Sequence, residues 1–231
     1  DAGGRPLVSR AADAGKDQSY MLSMLDRPTR ERILFPLGDL DKDRVRAMAR
    51  AAGLPAADAV ESQEVCFVGE GGYAPFLERT GGLTSRPGPI EDPEGRRLGT
   101  HGGYWRFTVG QRRGIGVAGA EPLYVLSTDA GRNAVVVGPR EGLAVDAVSL
   151  DPARLHGDVG DGPLEVRLRY RGRPLQGRVS ERDGAVRIDL SDTADGVAPG
   201  QTAALYRDGR LVAAGTIAAS QSDEAPHGRP A

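Results

Sequence analysis

From about residue 144 onward, short strand-like runs recur at 145–150, 164–171, 174–180, 185–190, 201–206 and 210–219, each closed by turn residues. Runs this short at this spacing are the signature of a small antiparallel barrel or sandwich. Composition points the same way: 33 glycines, 16 prolines and only 5% aromatic residues suit many short strands and turns better than a helical bundle. The 231 residues are enough for one large domain or two to three small ones, with a core to bury.

Helical signals are confined to the first third. Tyr20, Met21, Met24 and Leu25 form one apolar stripe that predicts a helix over 17–26 with Asp17 as N-cap. Val45, Met48, Ala49 and Ala52 predict a second helix over 42–52, opened by Asp41 and closed by Gly53 at C′. Ile33 to Gly38 is a compact apolar connector between them, and 73–79 reads as a short third helix. Residues 80–103, rich in Gly, Pro and charge, read as turns joining short strands. Runs at 122–128 and 133–137, separated by Asp129-Ala130-Gly131-Arg132, read as a hairpin. The polar tail 220–231 is expected to be disordered.

A net charge of −2 and a pI near 6.0 provide no global basic field, so any polyanion site must be a local patch. One cysteine argues against a secreted disulfide scaffold and fits a reducing cytosol, hence a cytoplasmic location. No apolar run approaches the roughly 20 residues needed to span a bilayer, and no signal peptide is visible. The chain opens without Met, the expectation being a fragment, a processed product or a naturally truncated one. His101, His156 and His227 stand alone, and no Cys/His spacing resembles a zinc site, so no metal site is expected. Walker A, dinucleotide and nucleophile-elbow patterns are absent, and Gly110 to Gly116 fits none of them.

Four features remain as carriers of chemistry. Cys66, in Ser62-Gln63-Glu64-Val65-Cys66-Phe67-Val68-Gly69, is either a small buried hydrophobe or a reactive thiol at the end of a short strand. Arg167, Arg169, Arg171 and Arg173 fall at every second position, which on a strand puts them on one face, about 7 Å apart. Such a row matches phosphate spacing, or else is a solvated outer face. Arg106, Arg112 and Arg113 lie beside Tyr104, Trp105 and Phe107, a mixture suited to phosphate and base contact or to a packed core with arginines at its rim. Lys16-Asp17-Gln18 is a polar triplet of which helix capping accounts only for Asp17. Pro199-Gly200-Gln201 is most simply a turn.

Taken together, Gly15 to Tyr20, Phe35 to Gly38, Ser62 to Val68, Gly99 to Gly103, Phe107 to Gly114, Arg169-Tyr170 and Pro199 to Gln201 resemble the tRNA-specific 2-thiouridylase family. The resemblance covers roughly residues 10 to 217. It implies a mixed α+β fold: a helical remnant of an α/β nucleotide domain over 1–65, a small β-rich central domain over 66–142, and a C-terminal antiparallel β-barrel over 143–219. It also implies a reaction. ATP, which magnesium can accompany, activates the C2 oxygen of the wobble uridine (position 34) in tRNAs for Lys, Glu and Gln. A cysteine persulfide, loaded by a protein sulfur donor, then attacks C2. Cys66 matches the persulfide-bearing cysteine. Lys16, Asp17, Gln18, Arg169, Tyr170 and Gln201 match tRNA-contacting positions, and Arg112, Arg113, Arg167 and Arg171 are weaker RNA-contact candidates.

The chain departs from that family in lacking the Ser-Gly-Gly-x-Asp-Ser phosphate loop and the second cysteine, and in carrying Ala213-Ala214-Gly215 where closing glycines stand. Alone it is expected to be inactive. A non-catalytic tRNA- or RNA-binding module left by truncation is the alternative reading. A translation-factor-like barrel on ribosomal RNA is a weaker one, since it leaves Cys66 and the Lys16 triplet unexplained.

Overall fold

A computed structural model describes Gly4 and residues 6–59, 72–182 and 185–221. Cys66, the motif around it, His227 and nearly all of the tail from 220 onward lie outside the described residues. The elements run α1 (Arg27–Arg30), α2 (Lys42–Ala51), α3 (Tyr73–Gly81), β1 (Gly88–Glu91), β2 (Arg97–His101), β3 (Tyr124–Asp129), β4 (Ala134–Gly138), β5 (Ala144–Leu155), β6 (Leu164–Arg167), β7 (Leu175–Arg182), β8 (Ala185–Asp195), β9 (Thr202–Arg207) and β10 (Arg210–Gln221). The fold is mixed α+β, with few helices, a small mixed sheet and a closed antiparallel barrel. Two compact units emerge: the described parts of 1–62 with 146–192 and 199–221, and the described parts of 63–145 with 193–198.

In the first unit six strands close in the order β10-β5-β8-β7-β6-β9. Val148, Leu150, Leu164, Val166, Ile188, Leu205 and Ile217 are among its fully buried side chains. Gly215 lets β10 approach β5, since a Cβ there would stand 2.8 Å from the Leu150 Cβ. Strand β9 is buried at Ala203, Ala204, Leu205 and Tyr206 alike, with no alternation. A strand reads that way when both of its faces are covered. The second cover is the N-terminal segment. Ser9 bridges to Arg210, Leu211 N–H donates to Val8 O at 2.9 Å, and Val8, Ala204, Tyr206 and Leu211 form one cluster with Tyr20 and Leu22 packed on it.

Helix α2 forms as its periodicity predicts. Asp41 accepts from Arg44 N–H at 2.7 Å, and Gly53 takes the left-handed conformation after it at φ +66°. The helix expected over 17–26 does not form; residues 14–24 make successive turns broken at 17–18, and α1 follows. Asp17 and Ser19 bond each other and the adjacent backbone, the local competition that disfavours helix for these residue types. The apolar connector is not compact either: Leu34 is 86% exposed, and Phe35 and Leu37 are also exposed.

The arginine row is a second correction. Val166 pairs with Leu175 across a hairpin, so the chain must reverse within the intervening loop. β6 therefore stops at Arg167, and 168–172 bend and turn, with Gly172 N–H closing onto Arg169 O at 3.1 Å. Arg167, Arg169, Arg171 and Arg173 do not share a strand face.

In the second unit the sheet order is β2-β1-β4-β3, with β1 and β4 parallel and the other pairs antiparallel. Ile90, Ile115, Val125, Val135 and Val137 form its core, with Tyr104, Phe107, Val117 and Leu123 packed against it. The β3–β4 hairpin forms as expected, with Asn133 at φ 52° in its turn. Helix α3 forms where a third helix is expected.

Candidate nucleic-acid interface

The Lys16 triplet sits in a loop organised by two carboxylates. Asp13 accepts from Gly15 N–H at 2.9 Å and from Lys42 N–H, at the start of α2, at 3.0 Å. Asp17 is buried, while Lys16 and Gln18 on either side of it are exposed. Asp17 Oδ1 accepts from Ser19 N–H at 3.0 Å and Ala11 N–H at 3.3 Å, and Oδ2 accepts from the Ser19 hydroxyl at 3.0 Å. The loop forms one wall of a cavity of about 760 Å³ that also takes in Arg30, Leu34, Phe35 and Leu37.

Tyr20 connects this loop to two stretches far away in sequence. Its hydroxyl donates to Thr202 O at 2.7 Å, and its ring centroid lies 6.3 Å from that of Tyr170. Burial raises its phenol pKa, with the Arg169 charge acting in the opposite direction. Tyr20 thereby joins the loop that carries Lys16 and Gln18 to the stretches that carry Arg169, Tyr170 and Gln201. Arg169 is exposed in the turn after β6, and the Arg171 guanidinium lies 5.7 Å from the Tyr170 ring centroid. Gln201 has a buried Oε1 that receives no hydrogen bond, next to the Thr202 carbonyl that Tyr20 holds.

Arg167 is turned inward instead. It is half-buried, contacts Glu165 at 3.3 Å and lies 6.0 Å from the Tyr206 ring. Arg10 pairs with the same Glu165 and lies 4.4 Å over Tyr206; burial, then the Arg167 charge, lowers its pKa. Arg173 lies 3.8 Å from Asp192, with both side chains exposed.

In the second unit, Arg112 and Arg113 are exposed on a loop that Gln111 clasps, accepting from Thr108 N–H at 3.1 Å and donating to Arg113 O at 2.8 Å. Arg106 is paired with Glu78 at 2.5 Å, and Glu78 also accepts from Trp105 Nε1 at 3.3 Å. Phe107 meets His101 edge-on at 5.2 Å. Tyr104 and Phe107 pack against the sheet core, and Trp105 is half-buried beside them.

Neither described histidine belongs to a metal group, since no cluster of three or more His, Cys, Asp or Glu occurs among the described residues. His101 Nδ1 accepts from Gly103 N–H at 2.9 Å, and His156 Nε2 donates to Ser23 O at 2.7 Å. Burial lowers the pKa of both. No described helix is long and apolar enough to cross a membrane.

Three family models match in series: a tRNA methyl transferase HUP domain over 2–70, a tRNA methyl transferase PRC-barrel domain over 75–139, and an aminomethyltransferase beta-barrel domain over 147–217. The tRNA-specific 2-thiouridylase MnmA of Maricaulis maris is 44% identical over 202 residues, 86% of this chain and 50% of the relative. That of Chloroflexus aggregans is 43% identical over 222 residues, 93% of this chain and 61% of the relative. The chain belongs to the tRNA-specific 2-thiouridylase family. A third relative, from Rhizorhabdus wittichii, is 43% identical over 220 residues, 95% of this chain and 57% of its own length. The chain thus spans half to three fifths of the length of these 2-thiouridylases.

Sequence reasoning picked out the exposed members of this candidate interface but missed Arg10, Ser19, Tyr206 and the joining role of Tyr20. One signal was available: the unbroken apolar run Ala203-Ala204-Leu205-Tyr206 implies a strand covered on both faces. Nothing in the sequence marks Arg10.

Proposed function

We propose that this chain is the tRNA-holding and sulfur-carrying part of a tRNA 2-thiouridylase. It would act on C2 of the wobble uridine, position 34, in tRNAs for Lys, Glu and Gln, with Cys66 as the sulfur carrier and a persulfide-bearing protein as donor. The observation that carries the reading is Tyr20, which ties the loop bearing Lys16 and Gln18 to Tyr170 and, across 182 positions of sequence, to Thr202 beside Gln201. Cations beside an aromatic platform suit phosphates and an unstacked base. Arg171 extends that platform, and Arg112 and Arg113 are further RNA contacts.

In this reading the terminal persulfide sulfur on Cys66 forms the bond to C2 as the activated C2 oxygen leaves. The S–S bond to Cys66 then breaks when a second thiol, supplied outside these 231 residues, takes Cys66 into a disulfide. ATP is the expected activator of the oxygen, but the described N-terminus of α2 does not fit its phosphates. The N-terminus of α2 is occupied by Asp41 and Asp43, whose charge repels a phosphate. No step is assigned to this chain through ATP.

Two measurements test the proposal. The chain should bind an unmodified tRNA with an affinity that falls as salt rises, and Cys66 should gain one sulfur when a persulfide-loaded sulfurtransferase is offered. Loss of salt-dependent tRNA binding discards the holding role. Binding without sulfur uptake leaves the alternative, a tRNA-binding module without chemistry.

A further inference from the structure

We infer that Asp17 is a positioning residue: it orients the exposed Lys16 and Gln18 through a directed hydrogen-bond chain anchored on Tyr206 of the barrel, and does not itself touch RNA. The inference rests on the tRNA-holding reading for its consequence and on the geometry of the chain for its substance.

Proton bookkeeping fixes the direction. An ionised carboxylate only accepts, so the 3.0 Å contact between Ser19 Oγ and Asp17 Oδ2 uses the single Ser19 hydroxyl proton. Ser19 Oγ also lies 3.0 Å from the Tyr206 hydroxyl, and with its proton already committed it must accept there. The order is therefore Tyr206 O–H to Ser19 O–H to Asp17 carboxylate. Tyr206 is 1% exposed and its phenol pKa is raised, chiefly by burial, so it remains a donor across neutral pH. The Arg10 guanidinium above its ring and the Glu165 partner of Arg10 seat the ring on the barrel wall.

At the other end, Asp17 Oδ1 takes the Ser19 and Ala11 amides, so each carboxylate oxygen is engaged from within the protein. Asp17 is 7% exposed, and its charge is compensated by these three donors. An exposed carboxylate between Lys16 and Gln18 would repel phosphate. Turned inward, it fixes the backbone from which its two neighbours project.

Asp17→Asn keeps the shape but removes the charged acceptor at the end of the chain, and where its amide faces Ser19 the Ser19 hydroxyl must accept instead of donate, which reverses the direction. Ser19→Ala and Tyr206→Phe each remove one link at a buried position. All three should weaken tRNA binding about three- to tenfold, the size of one net hydrogen bond, with the salt dependence unchanged. Lys16→Ala should instead lower the salt slope by about 1. The double variant Asp17→Asn/Ser19→Ala should bind no worse than the weaker single variant, because both cut one chain. In hydrogen exchange, the Ala11 and Ser19 amides should lose protection in Asp17→Ala, which removes the oxygen that both use. Tighter tRNA binding by Asp17→Asn overturns the inference, since it would reveal a carboxylate facing phosphate. Weakening by Asp17→Asn while Ser19→Ala and Tyr206→Phe bind normally also overturns it, in favour of direct contact. Should the parent chain not bind tRNA at all, the functional reading falls, and amide exchange still decides what Asp17 does: unchanged protection in Asp17→Ala refutes the positioning role. If Asp17→Ala does not fold, Asp17→Asn and Ser19→Ala still test the inference through tRNA binding.

Discussion

The loop around Lys16–Tyr20 and the segment Tyr104–Arg113 begin from similar ingredients, cations interleaved with aromatics, and use them in opposite ways. In the first, Tyr20 is half-buried and joins three pieces of chain, its hydroxyl on Thr202 and its ring against Tyr170. The neighbouring carboxylate of Asp17 is spent on amides and a hydroxyl. In the second, Tyr104 and Phe107 pack on the sheet core, and Arg106 is already matched by Glu78. In the first region the acidic neighbour is engaged by amides and a hydroxyl, whereas in the second the acidic neighbour Glu78 takes the cation itself and leaves Arg112 and Arg113, exposed on the following loop, as that segment's RNA candidates.

The largest effect should come from removing the support of the first region. Tyr206→Ala empties a site that is 1% exposed and should cost about 3–5 kcal/mol of folding stability, read by denaturant melts. A cost near that of a surface substitution would mean that the N-terminal segment does not rely on the barrel wall. Arg169→Ala should weaken tRNA binding up to about tenfold and lower its salt slope by about 1. An unchanged affinity at two salt concentrations would remove the first region's claim to RNA. Tyr20→Phe deletes only the hydroxyl that reaches Thr202, worth about 1 kcal/mol. It should weaken tRNA binding a few-fold while leaving the salt slope alone, and a changed slope would show that Tyr20 holds a phosphate-contacting cation in place.

One buried histidine adjoins each region, His156 on Ser23 O beside the first and His101 against Phe107 beside the second, both with pKa lowered by burial. The unfolded chain takes up these protons near pH 6.5, and the folded chain resists until lower pH. The stability of the neutral forms is therefore full above about 6.5 and lost as pH falls through that value toward the folded pKa. Unfolding free energies at several pH values should show the decline, and His156→Gln should flatten part of it. The smallest effect is expected from Arg106→Ala, within about 1 kcal/mol in stability because the Glu78 pair is partly exposed, and with tRNA affinity as in the parent chain. A clear drop in affinity would erase the contrast between the two regions.

What could be read from the sequence follows from where local rules and tertiary partners agree. Asp41, the spacing of Val45, Met48 and Ala49, and Gly53 all specify α2, and it forms. The turn-punctuated runs specify the barrel strands, and it closes. The apolar stripe of 20–25 suggested a helix, but Asp17 and Ser19 captured the local donors and Met21 is left 65% exposed. The alternation in 164–173 continues beyond Arg167, yet a strand lasts only as long as its partners, and the pairing with β7 and β9 ends there. In the candidate site, the exposed polar residues announced themselves as motifs. Their supports did not, because Arg10 and Tyr206 derive their roles from neighbours more than 150 positions away.

The two-sided burial of β9 has a practical consequence for anyone wishing to excise the barrel as a reagent. Stripped of residues 8–22, its wall would offer Ala204, Tyr206 and Leu211 to water as a greasy stripe, with the backbone of β10 at Leu211 deprived of its bond to Val8. Such a piece would invite self-association, so a soluble excised version must keep its N-terminal wrapping or replace that stripe with polar side chains.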